Sequence, residues 1–423
     1  MPNAPSPAAL VPAMPHPALF LVLIVPFGMA AGFVIVTLAY QLTQRGLSST
    51  AVAGMIALIY VPQTWKVLWA PLVDTTWTRR RWYACGTLLC GLCTFLLSGA
   101  AADARAIDLT LLGSLIVAGS FFSTLIAMAV ESFMAASVPD SHRGRVAGWY
   151  QAGNLGGLGL GGGLALWLIQ SAHWSAAAAG GALCAVAAAC CTALAWIPEP
   201  GAEGPRHADL AAHARAVGRD LWGLVRSRTG ALAVLICFLP LASGAASNLW
   251  SVVAGEWHAT AGTVALVNGA LAGVISAAGC LVGGWFADRM DRKRAYCVYG
   301  LLQAACALGM AYSGRTSPQF VLWTSLYAFA AGLTYAGFSA LVLEAIGRTA
   351  AATKYNLMAS LVNMPAAWMT LVDGSANDRW HGRGMLLTEA AVATTAVLLF
   401  VAVARTTRRR EAGLAPEGAP VAG

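Results

Sequence analysis

Two charged residues lie inside apolar stretches of the sequence, where a charge could bind a proton or an ion. Lys66 is one of three lysines in the chain and lies eight residues before Asp74. At ~1.5 Å per helical residue, Lys66 lies about 12 Å deeper in its apolar segment than Asp74. Glu131 lies eight residues before Pro139, so we expect a similar depth. Because a charge within a membrane usually has a partner, we predict a Lys66–Glu131 ion pair, which is either static or responsive to protons or substrate.

Acidic residues and prolines recur at one spacing along the chain. Three pairs are separated by 213 or 214 residues: Pro26 and Pro240, Asp74 and Asp288, and Glu131 and Glu344. The constant offset predicts an internal duplication. Arg348 follows Glu344 by four residues, one helical turn, so we expect a local ion pair there.

The composition indicates the elements that carry these residues. The chain is 58% hydrophobic and only 10% charged, whereas soluble proteins have about 25% charged residues. The apolar residues come in runs of about 20, the length of a helix that crosses a bilayer. The net charge of +8 is divided among short loops between these runs. We therefore expect an all-α membrane protein whose surroundings are lipid and which does not bind nucleic acid.

Twelve spans are predicted, in two six-helix bundles. The predicted bundles are residues 1–197 and 230–423, joined by a polar cytoplasmic linker at 198–229, and the second bundle ends in a basic tail. The predicted spans, numbered one to twelve, are 17–41, 50–74, 82–102, 107–134, 145–170, 174–197, 230–254, 261–287, 295–313, 318–345, 354–377 and 384–404.

The basic residues predict the orientation. Five arginines lie in the loops that follow odd-numbered spans, and twenty Lys and Arg residues lie in the even-numbered loops and the C-terminal tail. Since positively charged loops stay in the cytoplasm, we expect a multi-pass inner (plasma) membrane protein with both termini inside.

Residues suited to metal binding or catalysis are scattered. The ten cysteines lie in or beside apolar segments, and all seven histidines lie in loops or tails. We therefore expect no metal and no cofactor, and a membrane enzyme such as an acyltransferase is the weaker hypothesis.

Two loop motifs resemble a transporter family. The stretch from Gly284 through Asp288 and Arg289 to Arg294 resembles the signature loop of the major facilitator superfamily, and Asp74 with Arg79–Arg81 forms a degenerate copy. The core Lys66-x-x-Trp-Ala-Pro-Leu-x-Asp74 resembles the branch of muropeptide permeases and peptide–acetyl-coenzyme A transporters, which is related to siderophore permeases. The closer resemblance covers mainly residues 20–165. It implies that the two signature loops and their ion pairs gate the transporter.

The resemblance also implies that helices one, four, seven and ten line a central cavity. The polar side chains on these helices are the substrate candidates, together with two asparagines that are costly to bury. They are Thr37, Tyr40, Gln41, Ser123, Thr124, Asn248, Tyr327 and Tyr335, with Asn154 and Asn363. In this fold helices five and eight meet, and both are rich in glycine here, so we expect close packing between them.

The expected function is secondary active transport of a mid-sized polar solute by a monomer, with protons as the coupling ion. Muropeptide or peptide-like solutes come first and siderophores second. A channel on the same scaffold stays open as a further alternative, and no nucleotide-binding motif indicates that ATP drives the protein.

Overall fold

The computed structural model describes residues 15–69, 73, 76–102, 107–139, 143–197, 228–241, 243–287, 289–346 and 357–412, with six single positions between 215 and 226. Within these ranges the regular structure is helical throughout. An apolar chain in lipid forms helices, because a helix satisfies its backbone hydrogen bonds within one segment.

Six helices form the first half of the chain, residues 15–197. They are α1 (Ala18–Gln44), α2 (Ser49–Leu68), α3 (Arg79–Ala102), α4 (Leu109–Ser137), α5 (Arg143–Gly159, continuing to Gln170) and α6 (Ala176–Trp196). They coincide with predicted spans one to six to within a few residues, with one exception. The helix α2 ends at Leu68, six residues before the end of predicted span two.

The second half, residues 228–412, contains α7 (Arg228–Phe238), α8 (Ala261–Ala287), α9 (Arg292–Tyr312), α10 (Ser317–Ile346) and α11 (Asn363–Ala412). Between α7 and α8 lie three short helical pieces, Ala245–Leu249, Trp250–Val253 and Ala254–Trp257. We call residues 245–257 the broken segment. His381 interrupts α11 with φ 58° and ψ −175°. It divides the helix into a first arm, 363–380, and a second arm, 382–412.

Ten of the described helices are long and apolar enough to cross a membrane. One of these spans, Leu357–Arg405, is 49 residues long, about twice the length that a bilayer requires. Predicted span eleven from residue 357 onward and the whole of predicted span twelve fall within Leu357–Arg405, on either side of His381. Predicted span seven corresponds to α7 and the broken segment, neither of which is among the ten.

Several helices begin at polar side chains that bind their first free amides. Ser48 accepts a hydrogen bond from the amide of Ala51, and Asp108 accepts from Thr110 and Leu111. At the start of α9, Asp291 accepts from Arg294. These caps fix where the helices start.

Backbones approach closely where α1, α5 and α8 meet. Each of the three helices widens there into a π-helical stretch, at Phe33–Leu38, Leu160–Leu164 and Ala265–Leu271, and these stretches contact one another. A Cβ atom on Gly163 would lie 2.5 Å from the carbonyl oxygen of Ala265 and 2.9 Å from Cα of Gly269. The predicted close packing of the fifth and eighth helices is therefore confirmed.

The glycine contact between α5 and α8 can be tested with two alanine substitutions in one helix. We expect Gly163→Ala to destabilise the protein by about 1–3 kcal/mol, because two backbones must move apart. Gly156 also lies in α5, but a Cβ there would meet nothing within 4 Å. Gly156→Ala should therefore be neutral or stabilising by up to ~1 kcal/mol. Thermal unfolding in detergent measures both, and equal melting temperatures for the two variants would contradict the packing described here.

Candidate functional site

A chain of buried hydrogen bonds links the two halves of the protein. Nδ2 of Asn248, in the broken segment, donates to the hydroxyl of Tyr60 on α2 at 2.9 Å. The same atom donates to the hydroxyl of Thr370, on the first arm of α11, also at 2.9 Å. Thr370 is fully buried and Asn248 is 5% exposed. We call Tyr60, Asn248 and Thr370 the polar bridge. Because Asn248 and Thr370 are buried and Tyr60 is half-buried, these bonds hold three segments in one arrangement.

An acid pair lies one helical turn further along α11. Asp373 is fully buried on the first arm, and Glu389 is 3% exposed on the second arm. The two carboxyl groups are close enough to interact electrostatically. The hydroxyl of Tyr327 donates to Oε1 of Glu389 at 2.8 Å, and that of Ser243 donates to the same atom at 3.4 Å. The ring of Trp250 packs edge-on against Tyr327, with centroids 5.3 Å apart.

The donors around the acid pair are unequally distributed. Oε1 of Glu389 accepts from two hydroxyl donors, whereas its Oε2 has no partner among the described atoms. Neither oxygen of Asp373 accepts a hydrogen bond from any donor in the described part of the chain. Two carboxyl groups in contact form a hydrogen bond only when one of them carries a proton. Three of the four carboxyl oxygens of the pair are thus buried with no described donor, which favours a proton on the pair over two negative charges.

A carboxylate also joins the two halves at one end of the molecule. The oxygens of Asp378, on the first arm of α11, accept from the backbone amides of Ser49 and Thr50 at 2.6 and 2.7 Å. Nδ2 of Asn377 donates to the Ser49 hydroxyl at 2.7 Å. These amides are in the first turn of α2, where helical amides lack partners and the helix dipole attracts negative charge. We call Ser49, Thr50, Asn377 and Asp378 the latch, and this end of the molecule the latch end.

Close backbone packing reinforces the latch. A Cβ atom on Gly374 would lie 2.8 Å from the Ser49 carbonyl oxygen and 2.5 Å from Cβ of Ala53. Within the second half, Arg315 pairs with Glu256 at 3.0 Å and stacks over the Trp257 ring at 3.9 Å. The other oxygen of Glu256 accepts from the amide of Gly382 at 2.7 Å. The latch end is therefore closed in this structure.

The predicted Lys66–Glu131 ion pair is not formed in this conformation. Glu131 accepts a hydrogen bond from the Tyr150 hydroxyl at 3.2 Å. Lys66 is half-buried, and the ion pairs of the described residues do not include it.

The register between α2 and α4 explains this error. The Ser120 hydroxyl donates to the carbonyl of Ile59, and Gln63 donates to Ser123. A residue of α2 and the residue of α4 about 60 positions later thus lie at the same depth. Lys66 and Glu131 are 65 positions apart. At ~1.5 Å per residue, the two charges differ in depth by about 7 Å. The distances from the predicted helix ends did not reveal this difference.

Several of the other sequence-predicted candidates have roles in packing. The Thr37 hydroxyl donates to the carbonyls of Gly161 and Gly162, in the π-helical stretch of α5. Thr124 accepts from the Trp69 indole at 2.9 Å, and Asn363 donates to a carbonyl of its own segment. The remaining contacts join Ser123 to Gln63, Asn154 to Gln151, and Tyr335, which is half-exposed, to Gln151. Tyr40 is half-buried against the apolar core, and Gln41 has a buried side-chain oxygen with no partner among the described atoms.

The predicted gating loops are described only in part. Asp74, Asp288, Arg348 and the side chain of Glu344 lie outside the described residues, as does most of the predicted linker. Arg289 is described, and its guanidinium stacks 3.8 Å above the Trp285 ring and donates to the Trp285 carbonyl.

Asp373 and Glu389 are absent from the sequence-based candidates. Both lie inside predicted spans, at 354–377 and 384–404. An ionisable residue within an apolar span is itself a signal of function, and the sequence contains this signal for both residues. Their proximity was not available, because it depends on how the two arms of α11 pack.

The described geometry is that of a helical membrane bundle with buried polar contacts between its halves. The family model for the major facilitator superfamily matches residues 19–367, more than half of the chain. The chain belongs to the major facilitator superfamily. It is thus a multi-pass membrane transporter rather than an enzyme, and the polar bridge and the acid pair lie within a transport protein.

Similar proteins agree with this assignment. Anhydromuropeptide permease of Escherichia coli strain K12 is 24% identical over 408 residues, which cover 93% of this chain and 80% of the permease. Among solved structures, a D-xylose–proton symporter has a TM-score of 0.66 at 15% identity, covering 90% of this chain and 96% of that one. A POT family transporter in complex with a thioalcohol-conjugated peptide has a TM-score of 0.66 at 11% identity, covering 92% and 96%. These structural likenesses establish the fold.

The latch yields a prediction about local opening. We expect Asp378→Asn to speed hydrogen exchange of the Ser49 and Thr50 amides by roughly tenfold or more, because charged hydrogen bonds contribute about 1.5–3 kcal/mol. Hydrogen exchange with mass spectrometry on peptides spanning residues 45–56 measures it. Asp108→Asn is the matched control, since Asp108 caps α4 within the first half. Unchanged exchange at Ser49 and Thr50 would show that the latch does not hold this end closed.

Proposed function

We propose that the protein is a secondary transporter that carries a muropeptide-like solute across the inner membrane by alternating access, coupled to protons. The observation that carries the choice of solute is the similarity to anhydromuropeptide permease, which extends over 93% of the chain. The resemblance at Lys66-x-x-Trp-Ala-Pro-Leu-x-Asp74 supports the same choice.

The arrangement of polar contacts supports alternating access. The latch and the polar bridge both join segments from different halves of the chain. Both are made of hydrogen bonds that can break and re-form, and glycine contacts between α5 and α8 provide a smooth surface for sliding. A two-state machine needs such contacts, because each state must be held by interactions that the other state lacks.

We further propose the membrane arrangement that the sequence predicts. Two six-helix bundles, residues 1–197 and 230–423, are joined by a cytoplasmic linker at 198–229, and both termini are cytoplasmic. The basic triplets at 79–81 and 292–294 begin helices at the end opposite the latch. By the preference of basic loops for the cytoplasm, the latch end then faces outward. The transporter acts as a monomer, and Asp74, Glu131, Asp288, Arg289, Glu344 and Arg348 belong to its gating contacts.

Lys66 supports a solute that bears a carboxylate. It is half-buried in an apolar helix and takes part in no described ion pair. A cation in such a place favours an anionic ligand, and muropeptides carry carboxylates on their peptide part. We therefore assign Lys66 to solute binding and Glu131, which Tyr150 holds, to the coupling contacts.

The role of Lys66 can be tested with single substitutions. We expect Lys66→Ala and Glu131→Gln each to abolish uptake while leaving membrane insertion intact. Lys66→Arg should keep part of the uptake, because the charge stays. Thr394→Val is the control, since the Thr394 hydroxyl bonds to a carbonyl of its own helix. Wild-type uptake by Lys66→Ala would remove this residue from the site.

Counterflow tests the solute and separates the alternatives. Proteoliposomes loaded with unlabelled anhydromuropeptide should transiently accumulate the labelled compound from outside, as carriers do and channels do not. A ferric siderophore in place of the muropeptide tests the second candidate, and excess of the true substrate should stop the exchange. Absence of exchange with anhydromuropeptide, in protein whose folding is verified by its melting curve, would overturn the proposed solute.

A further inference from the structure

We propose that Asp373 and Glu389 form the proton-binding site of this transporter and that release of the proton opens the latch through the first arm of α11. The proposal deepens the proposed function, since it relies on the coupling to protons suggested there. It assigns the coupling to two residues of α11 that lie outside the sequence motifs.

The first argument is the chemistry of the pair. Asp373 and Glu389 are 0% and 3% exposed, so neither can exchange its partner for water. Oε1 of Glu389 accepts from two hydroxyls, whereas Oε2 of Glu389 and both oxygens of Asp373 have no donor in the described ranges. With one proton on Asp373, that group donates to Glu389 and a single negative charge remains, stabilised by donors. Without the proton, two negative charges repel each other in apolar surroundings.

A second, independent observation comes from α9. Gln303 is 3% exposed, and neither its amide nitrogen nor its amide oxygen has a partner among the described atoms. Its Nε2 lies 3.8 Å from the position that a Cβ of Gly244 would take, next to Ser243, which binds Glu389. A buried amide with unused hydrogen-bonding capacity next to the Ser243 segment is a second polar group in this region that calls for a functional explanation.

The surroundings favour a proton over a metal cation. Sodium or calcium binding requires several oxygen acceptors directed at one point. Here Oε1 of Glu389 is already occupied by the hydroxyls of Tyr327 and Ser243. The described part of the chain also holds no group of three or more potential metal ligands. Tyr327 on α10 is the titratable group that bonds to Glu389 from a neighbouring helix, and Cys306 on α9 interacts with Tyr327.

The first arm of α11 connects the pair to the latch. Asp373 is adjacent to Gly374, which packs on Ser49 and Ala53 of α2, and Asp378 lies five residues further along the same helix. Thr370, one turn before Asp373, belongs to the polar bridge. A shift of this arm away from Glu389 therefore moves all the α11 groups that hold α2. The protonated state closes the latch end, and the deprotonated state opens it.

Hydrogen exchange of the latch amides tests the proposal without any solute. The full-length protein is studied in detergent from pH 5 to pH 9, and each rate is divided by the intrinsic rate at that pH. In the wild type we expect the Ser49 and Thr50 amides to lose protection as pH rises, by up to about tenfold per pH unit where one proton is released. Asp373→Asn and Glu389→Gln should stay protected at every pH, because an amide donates the hydrogen bond that the proton otherwise provides.

The control is Thr394→Val, on the second arm of α11, whose hydroxyl bonds only to a carbonyl of its own helix. It should keep the wild-type pH dependence. Protection independent of pH in the wild type, or a wild-type response in both acid-pair variants, would overturn the proposal. A global loss of protection in one variant identifies unfolding, and the other variant then decides. Failure of solute counterflow leaves this measurement unaffected, so the two proposals fail separately.

Discussion

The closed end of the protein depends on one carboxylate, that of Asp378, bound to the first two amides of α2. A helix start presents amides without partners and a partial positive charge, so a carboxylate satisfies both needs at once. The partner comes from the other half of the chain, which makes the cap of a helix into a bond between halves. Such a contact is strong while the two halves are together. When they separate, water can hydrate both the carboxylate and the amides. The resemblance to the superfamily implies a similar use of Asp74 and Asp288 at the opposite end.

Within a membrane, the remaining buried polar contacts also indicate function. A span is inexpensive to build from apolar residues, and a buried carboxyl pair is tolerated only with hydrogen bonds or protons. The chain places such a pair between the two arms of α11 and the polar bridge one turn away on the same arm. The first arm therefore carries the acid pair, the bridge and the latch in sequence. A single rigid element can transmit the state of one to the others, because helices move as units.

The sequence predicted the helical bundle, the first six spans and the family, since these depend on apolar run length and on local motifs. The glycines of the fifth and eighth helices also indicated their contact correctly. The Lys66–Glu131 pair failed because depth was measured from predicted helix ends, whereas the register is set by Ser120 on Ile59. The contact of Thr37 could not be foreseen, because the π-helical stretch of α5, whose carbonyls it binds, has no signature in the sequence. The acid pair joins two residues that are sixteen positions apart on different arms of α11. Only the packing of the two arms brings them together, so the sequence alone did not predict the pair.

The central claim is that the two halves separate at the latch end when the acid pair loses its proton. Nitroxide labels at Trp174→Cys and Trp380→Cys, both exposed side chains at this end and from different halves, report that separation directly. The native cysteines accessible to the label are first replaced by serine. Double electron–electron resonance should then show one short distance at low pH and a growing population at longer distance as pH rises. A distance distribution that stays the same across the pH range would contradict the account.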